Sequence, residues 1–275
     1  VQEPRVFVRP KGATGSAAVD AAKLIALAGI RLDPWQRIVL EVAMGYDEAE
    51  SWVAKTVDVL ASRQNGKNVL AETRELYGAV ILGERVTHTA HLFPTAKKSF
   101  KRIKSMVAAH PDLERQLVRK LESPSSGYSF EFASGGVIEF IARSTTSGRG
   151  FTGDLLILDE AQDLNDDALG ALLPTLSATS IEGDPQVWYL GSAPGAGSSV
   201  WQRRRHAGRA GGSDTNAYFE FSAHPDSDLD DRDAWAQANP GLGVRISEQF
   251  IQETERVSMS DEMFARERLS ISPDL

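Results

Sequence analysis

Apolar and polar positions along the chain follow two rhythms. Short runs dense in apolar and β-branched residues, each bounded by Gly, Pro or charged positions, read as strands: Thr56 to Ala61, Val86 to Phe93, Leu155 to Leu158 and Gln186 to Leu190. Tyr128 to Phe132 and Val137 to Ala142 flank Ser134-Gly135-Gly136 and read as a hairpin. Helical spacing lies between these runs. Ala17 to Ala28 carries Val19, Leu24, Ile25 and Leu27 and is stopped by Gly29. Asp33 is placed to cap a second helix, with Pro34 at its first position, and that helix runs on through Ile38, Val39, Leu40 and Val42. Val69 to Leu82 follows. Pro94-Thr95 then opens a helix with Phe100, Ile103, Met106 and Val107 on one face, ending before Pro111, and Leu169 to Leu176 gives one more. Strands alternating with helices predict an α/β fold with a mainly parallel central sheet flanked by helices.

Beyond about Tyr218 the pattern changes. Asp226, Asp228, Asp230, Asp231 and Asp233 form an acidic loop that reads as flexible. After Ala238-Asn239-Pro240-Gly241 comes one long helical pattern carrying Phe250, Ile251, Val257, Phe264 and Leu269. The expected organisation is a core over residues 1–217 and a small C-terminal helical subdomain over 218–275.

At 275 residues, 41% of them hydrophobic, the chain can bury a large core without covalent staples. It has no cysteine, which excludes disulfides and thiolate metal sites. His88 and His91 are the closest histidine pair, and strand packing explains them better than a metal. No apolar run reaches membrane-spanning length, no secretory signal pattern opens the chain, and a cytoplasmic protein is expected. The net charge of −8 argues against a generic basic nucleic-acid binder. Basic residues still cluster locally, at Lys97, Lys98, Lys101, Arg102 and Lys104 and again at Arg203, Arg204, Arg205 and Arg209, and such patches can hold phosphates on an acidic protein.

Two segments carry chemistry. Leu155-Leu156-Ile157-Leu158-Asp159-Glu160 is a buried strand delivering two carboxylates at its C-terminal tip. Buried acids are costly unless something pairs with them, typically a metal ion and a polarised water. A strand running into a helix cap, with Glu160 favoured by the helix dipole, would give the same pattern. Upstream, Ala61-Ser62-Arg63-Gln64-Asn65-Gly66-Lys67-Asn68 joins a strand to a helix, the context a phosphate-binding loop requires. Backbone N–H groups from Ser62 through Lys67 can line an anion nest, and Lys67 can reach the β- and γ-phosphates. Ala61 stands where the usual pattern has glycine. Asn68 stands where it has a hydroxyl residue, and can offer a carbonyl oxygen to Mg²⁺ or to a metal-bound water instead. Loop and acid pair together describe a nucleotide triphosphatase using ATP and Mg²⁺. Arg149, between Gly148 and Gly150, is free to project towards a transferring phosphoryl group and reads equally as a solvated arginine; Arg143 competes for the role.

With these residues in place the chain resembles the N-terminal ATPase domain of the large terminase subunit of tailed double-stranded DNA bacteriophages. The resemblance rests on Ser62 to Asn68, on Leu155 to Gln162 with its Asp-Glu-Ala-Gln end, on Arg149-Gly150, on Gly191-Ser192-Ala193-Pro194 and on Ala238 to Gly243, and it spans roughly residues 32–269. It implies a P-loop NTPase of the ASCE type with a C-terminal lid. It implies Trp35 and Gln36 as an adenine-recognition motif, with Gln36 reading the base edge. Arg63 would respond to nucleotide state, and Gln64, Asn65 and Gly66 would complete the nucleotide-binding loop. Asp159 would hold Mg²⁺ and Glu160 would activate water. Arg149 would be an arginine finger acting in trans, and Ser192 would sense the γ-phosphate. The implied activity is an ATP-hydrolysing motor translocating double-stranded DNA into a procapsid, in the host cytoplasm. It would work as a homo-oligomeric ring with a portal protein and a small terminase subunit, with Lys97, Lys98, Lys101 or Arg203 to Arg205 on DNA. The nuclease domain of such subunits is expected to be absent from this chain. A helicase-like translocase and a non-catalytic nucleotide-sensing scaffold are the alternatives.

Overall fold

The computed structural model describes residues 2–125, 127–143, 152–181, 183–195 and 197–272. In chain order, the N-terminal part has β1 (Val6–Val8), β2 (Gly15–Ser16), α1 (Ala18–Leu27), α2 (Pro34–Ala43), β3 (Gly45–Tyr46), β4 (Thr56–Leu60) and α3 (Lys67–Tyr77), which runs on as a π-turn over Gly78–Leu82. Then come β5 (Arg85–Ala90), α4 (Phe93–Ala108), α5 (Pro111–Gln116), β6 (Leu117–Ser123), β7 (Gly127–Phe132), β8 (Val137–Ala142) and β9 (Leu155–Asp159). The rest comprises α6 (Asp166–Leu172), β10 (Gln186–Gly191), α7 (Ser199–Arg209), β11 (Asn216–Glu220), α8 (Arg232–Ala238), α9 (Glu248–Phe250), α10 (Arg256–Ser258) and α11 (Asp261–Leu269).

The large sheet has nine strands in the order β1-β11-β4-β10-β9-β5-β8-β7-β6. From β11 to β8 every neighbouring pair is parallel, and antiparallel strands close each side. This is the expected α/β architecture, with helices on both faces. Period-2 side-chain alternation explains how one strand serves two layers. Leu155 and Ile157 of β9 pack with the layer of α1 to α4, whereas Leu156 and Leu158 pack with α6 and α7 around Trp201. A third apolar cluster, built on Trp235, Ile251, Phe264 and Leu269, gives the C-terminal helices their own core.

Several expectations shift in detail. β5 ends at Ala90, and Phe93 already belongs to α4, whose first turn takes Pro94 because no backbone N–H is needed there. The single long helix expected after residue 248 is interrupted. A π-turn over Ile251–Glu255 leads into α10, and Ser260 then starts a new helix by accepting from the backbone N–H of Met263 at 3.2 Å. The acidic loop is a set of capped turns: Asp231 caps α8, and Asp230 pairs with Arg256 at 3.0 Å. Strand β11 crosses the 217/218 boundary, so the sheet takes in residues as far as Glu220. Among the described residues no helix is long and apolar enough to cross a membrane.

Candidate functional site

Three adjacent parallel strands, β4, β10 and β9, bring their C-terminal ends together, with Gly191 beside Leu60 and Leu190 beside Asp159. The carboxyl edge of an open parallel sheet is where such folds bind ligands. Here it collects the 61–66 loop from β4, Ser192 from β10 and Asp159-Glu160 from β9.

The loop turns through left-handed backbone at Gln64 (φ 66°) and Gly66 (φ 94°), and Gly66 starts α3. Ala61 is fully buried and its N–H donates to the Gly191 carbonyl at 3.2 Å, and the left-handed positions fall later in the loop, at Gln64 and Gly66. Ser62 and Asn65 point inward. The Asn65 amide donates to the Ser62 carbonyl (3.1 Å) and hydroxyl (2.8 Å), while its oxygen accepts from the Gly241 N–H at 2.8 Å. Ser62 also bonds Asn239, whose side-chain oxygen accepts from Arg268 at 3.1 Å. The loop is therefore held from behind by the C-terminal helical unit.

Lys67 folds its ammonium onto the loop, donating to the carbonyls of Ala61 (2.5 Å) and Ser62 (3.0 Å) and reaching the Ser192 hydroxyl at 3.5 Å. Burial lowers its pKa to about 8, against the opposing pull of Asp159. Asp159 is buried, and one carboxylate oxygen accepts from the Glu160 N–H at 2.9 Å. Its second oxygen has no partner among the described residues. Glu160 sits at φ 52°, a left-handed conformation that is strained for a side-chain-bearing residue and that turns it off the strand end. Desolvation, reinforced by Asp159 and Asp163, raises the Glu160 carboxyl above its ordinary range. Arg143, at the exit of β8, donates to the main-chain carbonyls of Asp159 and of Glu160, the latter at 2.9 Å.

Lys67, Asn68, Asp159, Glu160 and Ser192 line one cavity of about 780 Å³, together with Arg63, Gln64, Asn65 and Gly66 of the loop. Thr95, Lys98 and Arg102 of α4 form another wall, and Val244 and Arg245 of the C-terminal unit a third. The acid pair and the cation, far apart in the chain, thus share a space of nucleotide size. A carboxylate with a free oxygen and an amide carbonyl are oxygen donors of the kind a hard divalent cation takes, with phosphates supplying the remainder.

Other expected residues lie elsewhere. Gln36 is fully buried: its oxygen accepts from the Asp33 N–H (2.8 Å) and its amide donates to the Gly66 carbonyl (2.9 Å). It braces α2 against the loop instead of facing the cavity. Trp35 packs edge-on against Phe221 in the core, because the first turn of α2 is turned inward. Arg204 and Arg205 do not present a DNA-facing surface. Arg204 is forked onto buried Asp58 and stacked on Tyr189, and buried Arg205 bonds Ser272 at 2.6 Å and pairs with Glu220 at 3.5 Å. Arg204 neutralises buried Asp58, and Arg205 shares buried Glu220 with Arg5 and Arg209. Arg203 is exposed and pairs with Asp166, Lys97 lies 5.4 Å over the Tyr128 ring, and Lys101 is exposed on α4. Arg63, which does line the cavity, is exposed and lies 3.6 Å from Glu267. Arg143 is buried beneath the acid pair, so it supports that turn and is not free to act as a finger. Arg149 lies outside the described residues. His88 is buried, 2.5 Å from Glu75, which outweighs the cost of burial and raises its pKa.

Gln162, Arg102 and Asn239 entered the sequence analysis only as members of longer runs, and Arg245 not at all. Gln162 accepts from the Ser192 N–H at 3.1 Å, linking the turn after β9 to the exit of β10. Only its place in the Asp-Glu-Ala-Gln run hinted at this. Arg102 is held bidentate by buried Glu72.

No family model and no curated protein matches the sequence. Solved structures do match. The HK97 bacteriophage large terminase is similar with a TM-score of 0.75 and 19% identity, over 91% of this chain and 55% of that one. The Thermus phage P74-26 large terminase ATPase domain gives 0.63 and 16%, over 90% and 96%. A large terminase from a thermophilic bacteriophage, in complex with ATP-gamma-S, gives 0.52 and 12%, over 79% and 47%. This chain therefore spans about half the length of the HK97 subunit and nearly all of an isolated ATPase domain. Its fold is that of phage large-terminase ATPase domains.

Proposed function

We propose that this chain is an ATP-hydrolysing motor domain that moves double-stranded DNA into a viral procapsid. The observation that carries the reading is the single cavity lined by the phosphate loop, Lys67 and the Asp159-Glu160 pair. The thermophilic-phage terminase structure with ATP-gamma-S supports a nucleotide as the occupant.

In this reading the backbone N–H groups at the start of α3 cradle the phosphates, and Lys67 turns from the loop carbonyls onto the β- and γ-phosphates. Asp159 and Asn68 would hold Mg²⁺, which would supply charge neutralisation for the phosphates. Glu160 orients the attacking water and takes its proton. Desolvation raises its carboxyl above the ordinary range, which makes the carboxylate a stronger base. Ser192, bonded through its N–H to Gln162, is placed to report loss of the γ-phosphate to the turn that carries Glu160. Arg149 is the candidate finger from a neighbouring copy in a ring. Exposed Lys101 and Arg203 and half-buried Lys97 remain the candidates for backbone contacts to DNA, whereas Lys98 lines the proposed nucleotide cavity. A portal protein and a small terminase subunit are the proposed assembly partners.

The test is phosphate release from ATP and Mg²⁺ with and without double-stranded DNA. A motor releases phosphate, and faster with DNA. Zero release at high protein concentration in both arms would favour a nucleotide-sensing scaffold. Release stimulated only by single strands would favour a helicase-like translocase.

A further inference from the structure

The loop over residues 241–246 of the C-terminal unit closes one end of the cavity. It is tight: the Gly243 N–H donates to the Ile246 carbonyl and the Arg245 N–H to the Gly241 carbonyl, both at 2.8 Å, with Gly243 at φ 77°. It is also anchored, because the Gly241 N–H donates to Asn65 of the phosphate loop. The position of Arg245 is thereby fixed relative to Gly66. Its Nε donates to Asp33 at 2.6 Å, and its side chain lies flat on Gly66, where a Cβ would come within 2.8 Å of Nε and 3.1 Å of Cδ. The two terminal nitrogens of the guanidinium have no partner among the described residues, and the side chain lines the cavity.

A partly exposed ion pair is worth little to stability. An ion pair alone therefore gives no reason to lay a guanidinium across the start of α3. A guanidinium held by one edge, with its other donors free beside an anion nest, matches phosphate oxygens in a forked geometry. Apart from Lys67, the other cations on the cavity wall are less well placed. Arg102 is committed to Glu72, Arg63 is exposed and lies 3.6 Å from Glu267, and Lys98 is exposed with no hydrogen-bond partner among the described residues.

We propose that Arg245 is a ligand to the phosphate chain of the bound nucleotide, delivered in cis from the C-terminal unit onto the rim of the phosphate loop. The inference rests on the nucleotide reading above and adds a bridge: a nucleotide held by both Lys67 and Arg245 ties the C-terminal unit to the sheet.

The experiment is a fluorescence titration of the full chain with a fluorescent ATP analogue and Mg²⁺. The parent is compared with Arg245→Ala, Arg245→Lys and Arg256→Ala, with thermal melting of each. Arg245→Ala should weaken binding about tenfold or more, the effect of losing a charge-assisted contact, and Arg245→Lys should weaken it less. Arg256 pairs with Asp230 and Asp261 on the same unit and does not line the cavity, so Arg256→Ala removes an equal charge and should bind within about threefold of the parent. If Arg245→Ala binds as the parent does, or if Arg256→Ala loses as much as Arg245→Ala, the phosphate contact is refuted while the nucleotide site stands. A parent chain that binds no nucleotide refutes both.

Discussion

Lys67 keeps its ammonium on the carbonyls of Ala61 and Ser62, and burial brings its pKa down to about 8. This gives a pH signature. The depressed value means that the nucleotide-free protein gives up this proton as pH rises through about 8. A bound triphosphate favours the charged form, so binding above that pH must take up a proton. Affinity for ATP should therefore be constant below about pH 7 and fall as pH rises towards about 9. Calorimetry near pH 8.5 in two buffers of different ionisation enthalpy should register the proton uptake. Affinity unchanged across that range would place the lysine away from the phosphates. Glu160 acts in the opposite sense. Its carboxyl is raised by desolvation and by Asp159, so the acid limb of the hydrolysis profile should lie above the pH where an ordinary glutamate, at about 4.3, would set it.

At the scale of the element, the turn from β4 into α3 concentrates the demands on sequence. Gly66 is needed twice: for its φ of 94°, and because Arg245 and Gln36 leave no room for a Cβ. Gly66→Ala should cost about 1–3 kcal/mol in thermal or denaturant unfolding and reduce ATP binding more than the stability loss alone explains. An alanine variant with parent stability and parent affinity would show that the turn has freedom it does not display. The strand–loop–helix turn at residues 56–77 and the strand that ends in Asp159-Glu160 were legible as elements because each places unusual residues at the end of an apolar run. Strand β11 was not. Its ends are polar, and Asn216 and Glu220 are buried only because Asp58, Arg205 and Arg209 meet them from other elements. Gln36 was legible as the start of a helix but not in its role: a buried amide shared between a helix cap and the Gly66 carbonyl depends on a contact 30 positions away. Arg204 and Arg205 read as a surface patch because charge runs usually are one. Period-3.6 geometry turned these two into the protein and left Arg203 outside.

For the whole molecule, the central relation is between the parallel sheet and the C-terminal helical unit. That unit has its own core around Trp235 and Phe264, yet it reaches back through Asn239, Gly241, Arg245 and Arg268 to the loop that would hold phosphates. Any change in that loop on binding or losing a γ-phosphate is therefore felt by groups belonging to a separate packed body, as a motor requires. Glu160 is the proposed base of the hydrolytic site. Its most direct test is Glu160→Gln, an isosteric change that removes the base and leaves the cavity its shape. Phosphate release and ATP affinity are measured on the same preparation. The expected result is release lost by about a thousandfold or more, with ATP bound within a few-fold of the parent. Undiminished turnover in Glu160→Gln would contradict it.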